Sequence, residues 1–462
     1  ITSDTSVIAG GTGNSTTAST AAIGGGSSNL NNSEGSVIGG GTSNQISGIQ
    51  YNPTAFYNVI SGGNANIIDV TNQVQTSFNT ISGGRQNIIS IDQPADNNFI
   101  GGGQQNQINS NTTTPLQYSS IVAGSNNRIQ GSYAAIGGGN QNNTGDNYTT
   151  ISGGNRNTIT PIDPLSASYT TIGGGSFNSI TPTGSGQNVL YSVIGGGISN
   201  QINAESGIIG GGGQNQISSS IAQYGTISGG QANVVTNIYA TIGGGTSNLA
   251  NGNSSTIGGG RSNIVSDTYT TIGGGNQNQA SGDSSTVGGG YQNNTTDQYT
   301  TISGGNQNKI LKIDPLTAVY STIGGGNVNT ITPTGAGVSA SYSFIGGGTT
   351  NTINSSLAFI GGGGGNNIST AAAQYATIGG GAGNTVSNQY STVAGGQDNN
   401  VSGSRSTVGG GFNNTVTQPF SHIGGGNSNS VSGSRATIGG GDLNSVTGDS
   451  GVIGGGSGNA AN

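Results

Sequence analysis

Asparagine returns in one fixed phase along this whole chain, and few folds can accommodate such a pattern. The unit most often reads Ile/Val-Gly-Gly-Gly-x-x-Asn-x-Ile/Val, followed by a polar stretch that leads to the next Ile or Val. With the first aliphatic residue taken as position 0, 27 units run from Ile8 to Ile453. Position +3 is Gly and position +6 is Asn in all 27. Of the 26 spacings, 16 are 15 residues and ten are longer, at 18 to 22. A strict short period of this kind marks a solenoid, in which each coil buries its apolar residues only against its neighbours.

Composition excludes the other readings. Gly accounts for 94 of 462 residues, where roughly 7% is usual. A flexible Gly-rich linker has such a composition, but it has no use for an unbroken Asn phase. Eight basic residues scattered over the chain cannot neutralise a phosphate backbone, so nucleic acid is not an expected partner. No apolar run approaches the roughly 18 residues of a membrane helix, and no membrane insertion by this chain is expected. There is no Cys, so cysteine usage is silent on the redox compartment. The chain opens Ile1-Thr2-Ser3, which reads as a mature, trimmed or partial product.

The extra residues of the longer units always enter between +8 and the next unit, as at Thr181-Pro182-Thr183-Gly184 and Thr332-Pro333-Thr334-Gly335. Loops are therefore expected on one side of the solenoid. A longer period overlies the short one. Ile162-Asp163-Pro164-Leu165 recurs at Ile313-Asp314-Pro315-Leu316, and Gln223-Tyr224 recurs at Gln374-Tyr375, each 151 residues on. The expected organisation is one continuous solenoid over 1–462, with a nine-coil duplication at 151–301 and 302–452.

A 15-residue turn with aliphatic positions eight apart suits a flattened coil of two short strands, with 0 on one and +8 on the other. The fold class is thus all-β, a β-solenoid of about 27 coils. The inward column includes Ile242, Ile257, Ile272, Val287 and Ile302. Position −2 shares that face and carries small residues. The Gly run at +1 to +3 lets the chain reverse where a Cβ would block it. A frequent second Gly near +10, as at Gly282, Gly403 and Gly433, is expected to serve the other bend. Coils stack about 4.8 Å apart, so inward Asn amides at +6 can bond one to the next and satisfy turn carbonyls. The structural ladder comprises Asn142, Asn157, Asn178, Asn200, Asn215, Asn233, Asn248, Asn263, Asn278, Asn293, Asn308 and Asn329. Two aliphatic side chains cannot offset the ordering of 15 residues, so one coil alone does not fold.

Position −1 faces outward, with Thr in 14 units and Val, Ile or Phe in nine. Its apolar members, among them Val37, Phe99, Val193, Ile208, Phe344 and Phe359, form a candidate subunit-contact stripe. Position −3 adds Tyr148, Tyr169, Tyr224, Tyr269, Tyr299 and Tyr375.

Recognisable reaction chemistry is missing. The unit is similar to the calcium-binding nonapeptide Gly-Gly-x-Gly-x-Asp, but Asn replaces the Asp that brings the negative charge, so no metal is expected. Gly-Gly-Gly without a following Gly-Lys-Ser/Thr is no phosphate loop. His422 sits in the outward −1 column with no nucleophile or carboxylate near it in sequence. Arg405 and Arg435 occupy the Tyr column and read as solvated surface residues. No cofactor and no catalytic residue are expected.

The run Ser254-Ser255-Thr256-Ile257-Gly258-Gly259-Gly260 and its repeats resemble the YadA-like head repeats of trimeric autotransporter adhesins. Similar Gly-rich repeats occur in phage and viral fibre proteins. The likeness covers Val7 to Ala461. It implies left-handed β-rolls packed as a trimer, an adhesive or fibrous role, and a place outside the cell. The period of 15 against about 14 and the Ile-Gly-Gly-Gly core depart from that pattern, and these residues include no neck, coiled-coil stalk or membrane barrel.

These features lead to the expectation of a structural protein rather than an enzyme. It would be a rigid extracellular β-solenoid forming a fibre shaft or filament subunit, by head-to-tail stacking or trimerisation. The alternative is an adhesin or receptor-binding head whose one-sided loops meet host or cell-surface glycans or proteins. Its place is extracellular or on a cell surface, or alternatively on a virion surface. Ice binding through the Thr column is a third reading, weakened by the Phe residues that interrupt it. At about 4.8 Å per coil, the coils would make a rod roughly 125 Å long. Ile1, Ala461 and Asn462 fall at +8, +8 and +9, a match of phase that sets the expectation of end-to-end joining through open strand edges.

Overall fold

The fold is given by a computed structural model, which describes residues 5–48, 56–70, 77–91, 97–110, 116–161, 166–182, 188–313, 315–333 and 339–462. The chain forms two compact units, Ile1–Tyr239 and Ala240–Asn462. Each is a β-solenoid of parallel strands, and no helix occurs among the described residues. The boundary between the units falls inside the first nine-coil block.

Most strands are only two residues long, because each coil must turn again almost at once. In the second unit, Thr241–Ile242 pairs with Thr256–Ile257, and Leu249–Ala250 pairs with Ile264–Val265. Position 0 therefore stacks on position 0 and +8 on +8. The same register holds in the first unit across a longer spacing, where Thr150 pairs with Thr171 and Ile151 with Ile172. The longer spacing thus does not shift the ladder. The Ile-Asp-Pro-Leu of the first block, Asp314 of its repeat, Thr183-Gly184, Thr334-Gly335 and Ile1 lie outside the described residues.

The coil has three ladders where two were expected. Between the strands, position +4 forms a single-residue parallel bridge, as from Thr246 to Arg261 and from Arg261 to Asn276. A left-handed residue stands on either side of it. At +3 every Gly has φ between +86° and +101°. At +5 the left-handed residue is usually not Gly: Ser262 has φ 54° and Gln277 φ 57°.

The interior is narrow and filled by buried side chains. Ile242, Ile257, Ile272, Val287 and Ile302 are fully buried, as are the +8 residues Val265 and Ile310. β-branched side chains suit this space because their stiff χ1 stacks coil on coil. The small −2 residues are buried too, and they do more than leave room. Ser391 Oγ donates to the Gly403 carbonyl (2.7 Å), and Ser421 Oγ donates to that of Gly433 (2.9 Å) and accepts from the Ala436 N–H (3.3 Å).

Gly282, Gly403 and Gly433 play a different part from the one expected. None has a positive φ. Each is Gly because a Cβ would overlap the backbone of the next coil, at Asp297, Gln418 and Gly448 respectively. The left-handed residue of that second bend stands at −3, and it is often Tyr.

Candidate functional surfaces

The Asn column holds the coils together. In the second unit, Asn263 Nδ2 donates to the Gly259 carbonyl of its own coil (2.9 Å) and to the Gly275 carbonyl one coil on (3.0 Å). Its Oδ1 accepts the backbone N–H of Asn278 (2.9 Å). In the first unit, Asn142 donates to Gly138 (2.8 Å) and Gly154 (3.0 Å) and accepts from the Asn157 N–H (3.0 Å). Direct amide-to-amide bonding, expected throughout, occurs only in part of the column, as from Asn178 to Asn157 and from Asn329 to Asn308. The constant link runs from side chain to backbone.

This geometry explains both the invariant Asn and the invariant Gly. Asp would offer no donor to the two carbonyls, and Gln would be one methylene too long. Asn142, Asn157, Asn178, Asn200, Asn215, Asn233, Asn248, Asn263, Asn278, Asn293, Asn308 and Asn329 are all buried. No atom of the +6 column is among the buried side-chain atoms that lack a partner; Asn143, Asn294 and Asn367, all at +7, are. A Cβ on Gly260 would overlap the Gly275 carbonyl oxygen, whereas Gly259 faces open space.

The outward stripe is exposed where it is apolar. Val37, Phe99, Val193, Ile208, Phe344 and Phe359 each keep between 37% and 46% of their surface in solvent. Phe344 and Phe359 stack at 5.5 Å between ring centroids. Val193 and Ile208 hold the equivalent places in the preceding nine-coil block. His422 lies exposed in the same column, paired by backbone with Thr407 and Thr437.

The −3 column departs most from its expected appearance. Tyr118, Tyr133, Tyr148, Tyr169 and Tyr191 all take left-handed φ between 54° and 58° and stack face to face over five successive coils, with centroids 4.7 to 5.3 Å apart. In the second unit Tyr299, Tyr320 and Tyr342 repeat this stack. Arg405 and Arg435 extend the column instead of standing free in solvent. Arg405 lies 5.3 Å from the Tyr390 ring and 5.5 Å from that of Phe420, and Arg435 lies 5.8 Å from Phe420. A left-handed conformation is unfavourable for a bulky side chain. Stacking at about 0.5–1.5 kcal/mol per pair offsets part of that cost. Tyr in a sequence gives no signal of positive φ, so only its recurrence at −3 could have marked the column.

On the opposite face, a shallow groove of about 350 Å³ runs between columns +5 and +7, lined by Gln277, Gln279, Gln292, Asn294, Gln307 and Lys309. Its Gln residues bond in series, from Gln307 to Gln292 (2.8 Å) and from Gln292 to Gln277 (2.9 Å). Where a long unit re-enters the coil, a carboxylate receives it. Asp146 accepts hydrogen bonds from Ser166 Oγ (2.8 Å), the Ala167 N–H and Ser168 Oγ (2.9 Å). Asp297 accepts the Ala318 N–H at the equivalent place. Among the described residues, no group of His, Cys, Asp or Glu is placed to hold a metal ion, and no helix is long and apolar enough to cross a membrane. No protein-family model matches this chain, and no curated protein matches it either.

Proposed function

We propose that this chain is a structural protein, a β-solenoid that serves as a fibre shaft or filament subunit outside the cell or on a cell or virion surface, without catalytic activity. One observation carries the reading: the Asn and Gly groups of the interior are spent, coil after coil, on holding the next coil. The stripe of Val37, Phe99, Val193, Ile208, Phe344 and Phe359 is the surface for self-contact, in a homotrimer or a filament. The test is electron microscopy of purified chain with a mass measurement in solution. Trimers, bundles or end-joined filaments that Phe344→Ser/Phe359→Ser weakens are expected. Monomers at every concentration up to about 100 μM would overturn the assembly.

The adhesin reading draws support from the Asp146 and Asp297 anchors, which fix the bases of two long loops in equivalent places. Binding of a glycan or surface protein that disappears when those loops are shortened to 15-residue spacing would favour it.

A further inference from the structure

We propose that the tyrosine stack of the −3 column is a site of oxidative cross-linking, at which neighbouring tyrosines couple to dityrosine and tie successive coils covalently. The proposal is independent of what the chain assembles into.

The geometry is that of a preassembled reactant pair. Tyr133 and Tyr148 have centroids 4.8 Å apart with planes 4° from parallel, and Tyr148 and Tyr169 are 4.7 Å and 6° apart. Tyr375 and Tyr390 match them in the second unit, at 4.8 Å and 4°. Residues of one type stacked in one backbone conformation bring each ring atom about one coil spacing from its counterpart, so the carbons ortho to the two phenols face each other. Tyr133, Tyr148 and Tyr169 keep 43% to 49% of their surface in solvent. An oxidant can therefore reach the ring edges, water can take the phenolic protons, and a ring has room to swing into the coupled geometry.

The oxidant is hydrogen peroxide used by a haem peroxidase. Each of two phenols gives up one electron and its hydroxyl proton and becomes a tyrosyl radical. The radicals join through a new bond between ortho carbons, and the two ring protons at that bond move to the oxygens, restoring two phenols. Peroxide accepts the two electrons and two protons and leaves as two waters. A partner one coil away stands at an effective concentration on the order of mM or higher. At about 1 μM chain, coupling along the column therefore outruns coupling between molecules by roughly a thousandfold.

Tyr269 is the internal control. It is 63% exposed, more than any tyrosine of the stacks, but its column neighbours are Ser254 and Ser284. It meets the oxidant with no ring to couple to.

The experiment treats the full chain at about 1 μM with peroxide and horseradish peroxidase, then reads dityrosine fluorescence and maps cross-linked peptides by mass. Links Tyr133–Tyr148, Tyr148–Tyr169, Tyr118–Tyr133 and Tyr375–Tyr390 are expected within single chains, with none at Tyr269. Tyr148→Phe should abolish the first two links and leave Tyr118–Tyr133 and Tyr375–Tyr390 in place. Phe is tolerated in this column, since Phe78 stacks on Tyr57 at 5.3 Å, and a circular dichroism spectrum checks that the variant is folded. Absence of dityrosine, links at Tyr269 in yields like those at Tyr148, or products that form only between chains would each overturn the proposal.

Discussion

At the scale of single residues, the sharpest contrast lies between two adjacent glycines. Gly260 has φ 90° and its missing Cβ is replaced by the next coil's carbonyl, while Gly259 has open space above it. Gly260→Ala should cost about 1–3 kcal/mol in backbone strain alone, with coil displacement added. Gly259→Ala should stay within about 0.5 kcal/mol. Urea denaturation of the two variants checks this, and equal midpoints would refute the assignment. Asn263→Ala strands the Gly259 carbonyl and the Asn278 N–H and leaves the Gly275 carbonyl with the Arg261 N–H alone, so it should lose at least about 1–3 kcal/mol. Asn253, whose side chain is engaged by its neighbour Ser254 (2.8 Å), should lose little on the same change. The inward Asn was legible because it never varies. The left-handed Tyr and Gln were not, since a side chain that stacks on its neighbour can hold a conformation its own preference opposes.

At the scale of the element, two pairs of core threonines each span two coils. Thr144 stands at +8 where most coils carry Ile or Val, and its hydroxyl bonds that of Thr149 at −2 of the next coil. The duplicated pair Thr295 and Thr300 does the same. A double-mutant cycle should reveal the coupling: Thr295→Val/Thr300→Val loses less stability than the two single changes added together. Strict additivity would mean that the hydroxyls act alone. The two strands of the coil could be read from aliphatic spacing, because alternation leaves a trace in hydrophobicity. The +4 bridge could not. It is one residue long, faces outward and accepts Thr, Arg, Asn or Tyr alike, since its bonds are made by backbone.

At the scale of the molecule, the forces that hold each unit are almost all short-ranged. The chain carries 8 basic and 15 acidic residues in 462; Asp146, Asp297 and Asp449 accept backbone N–H groups, and Arg405 and Arg435 lie over aromatic rings. Raising NaCl from about 10 mM to about 300 mM, which shortens the screening length severalfold, should move the thermal midpoint by less than about 2 °C. A shift of many degrees would show that long-range charge contributes after all. The duplication of 151 residues was visible in the sequence, but the division at Tyr239 and Ala240 was not. No change in the repeat announces it.

The Asn link also means that coils are interchangeable. Through its Asn, every coil presents to its neighbour the same one donor, one acceptor and one empty space beside a glycine, so nothing in the ladder counts position. A gene for such a chain can gain or lose whole units by unequal recombination without a frustrated intermediate, provided the break falls at the same phase. The 151-residue echo in the sequence is consistent with that tolerance. Length in this molecule is free to drift, while the cross-section is held constant.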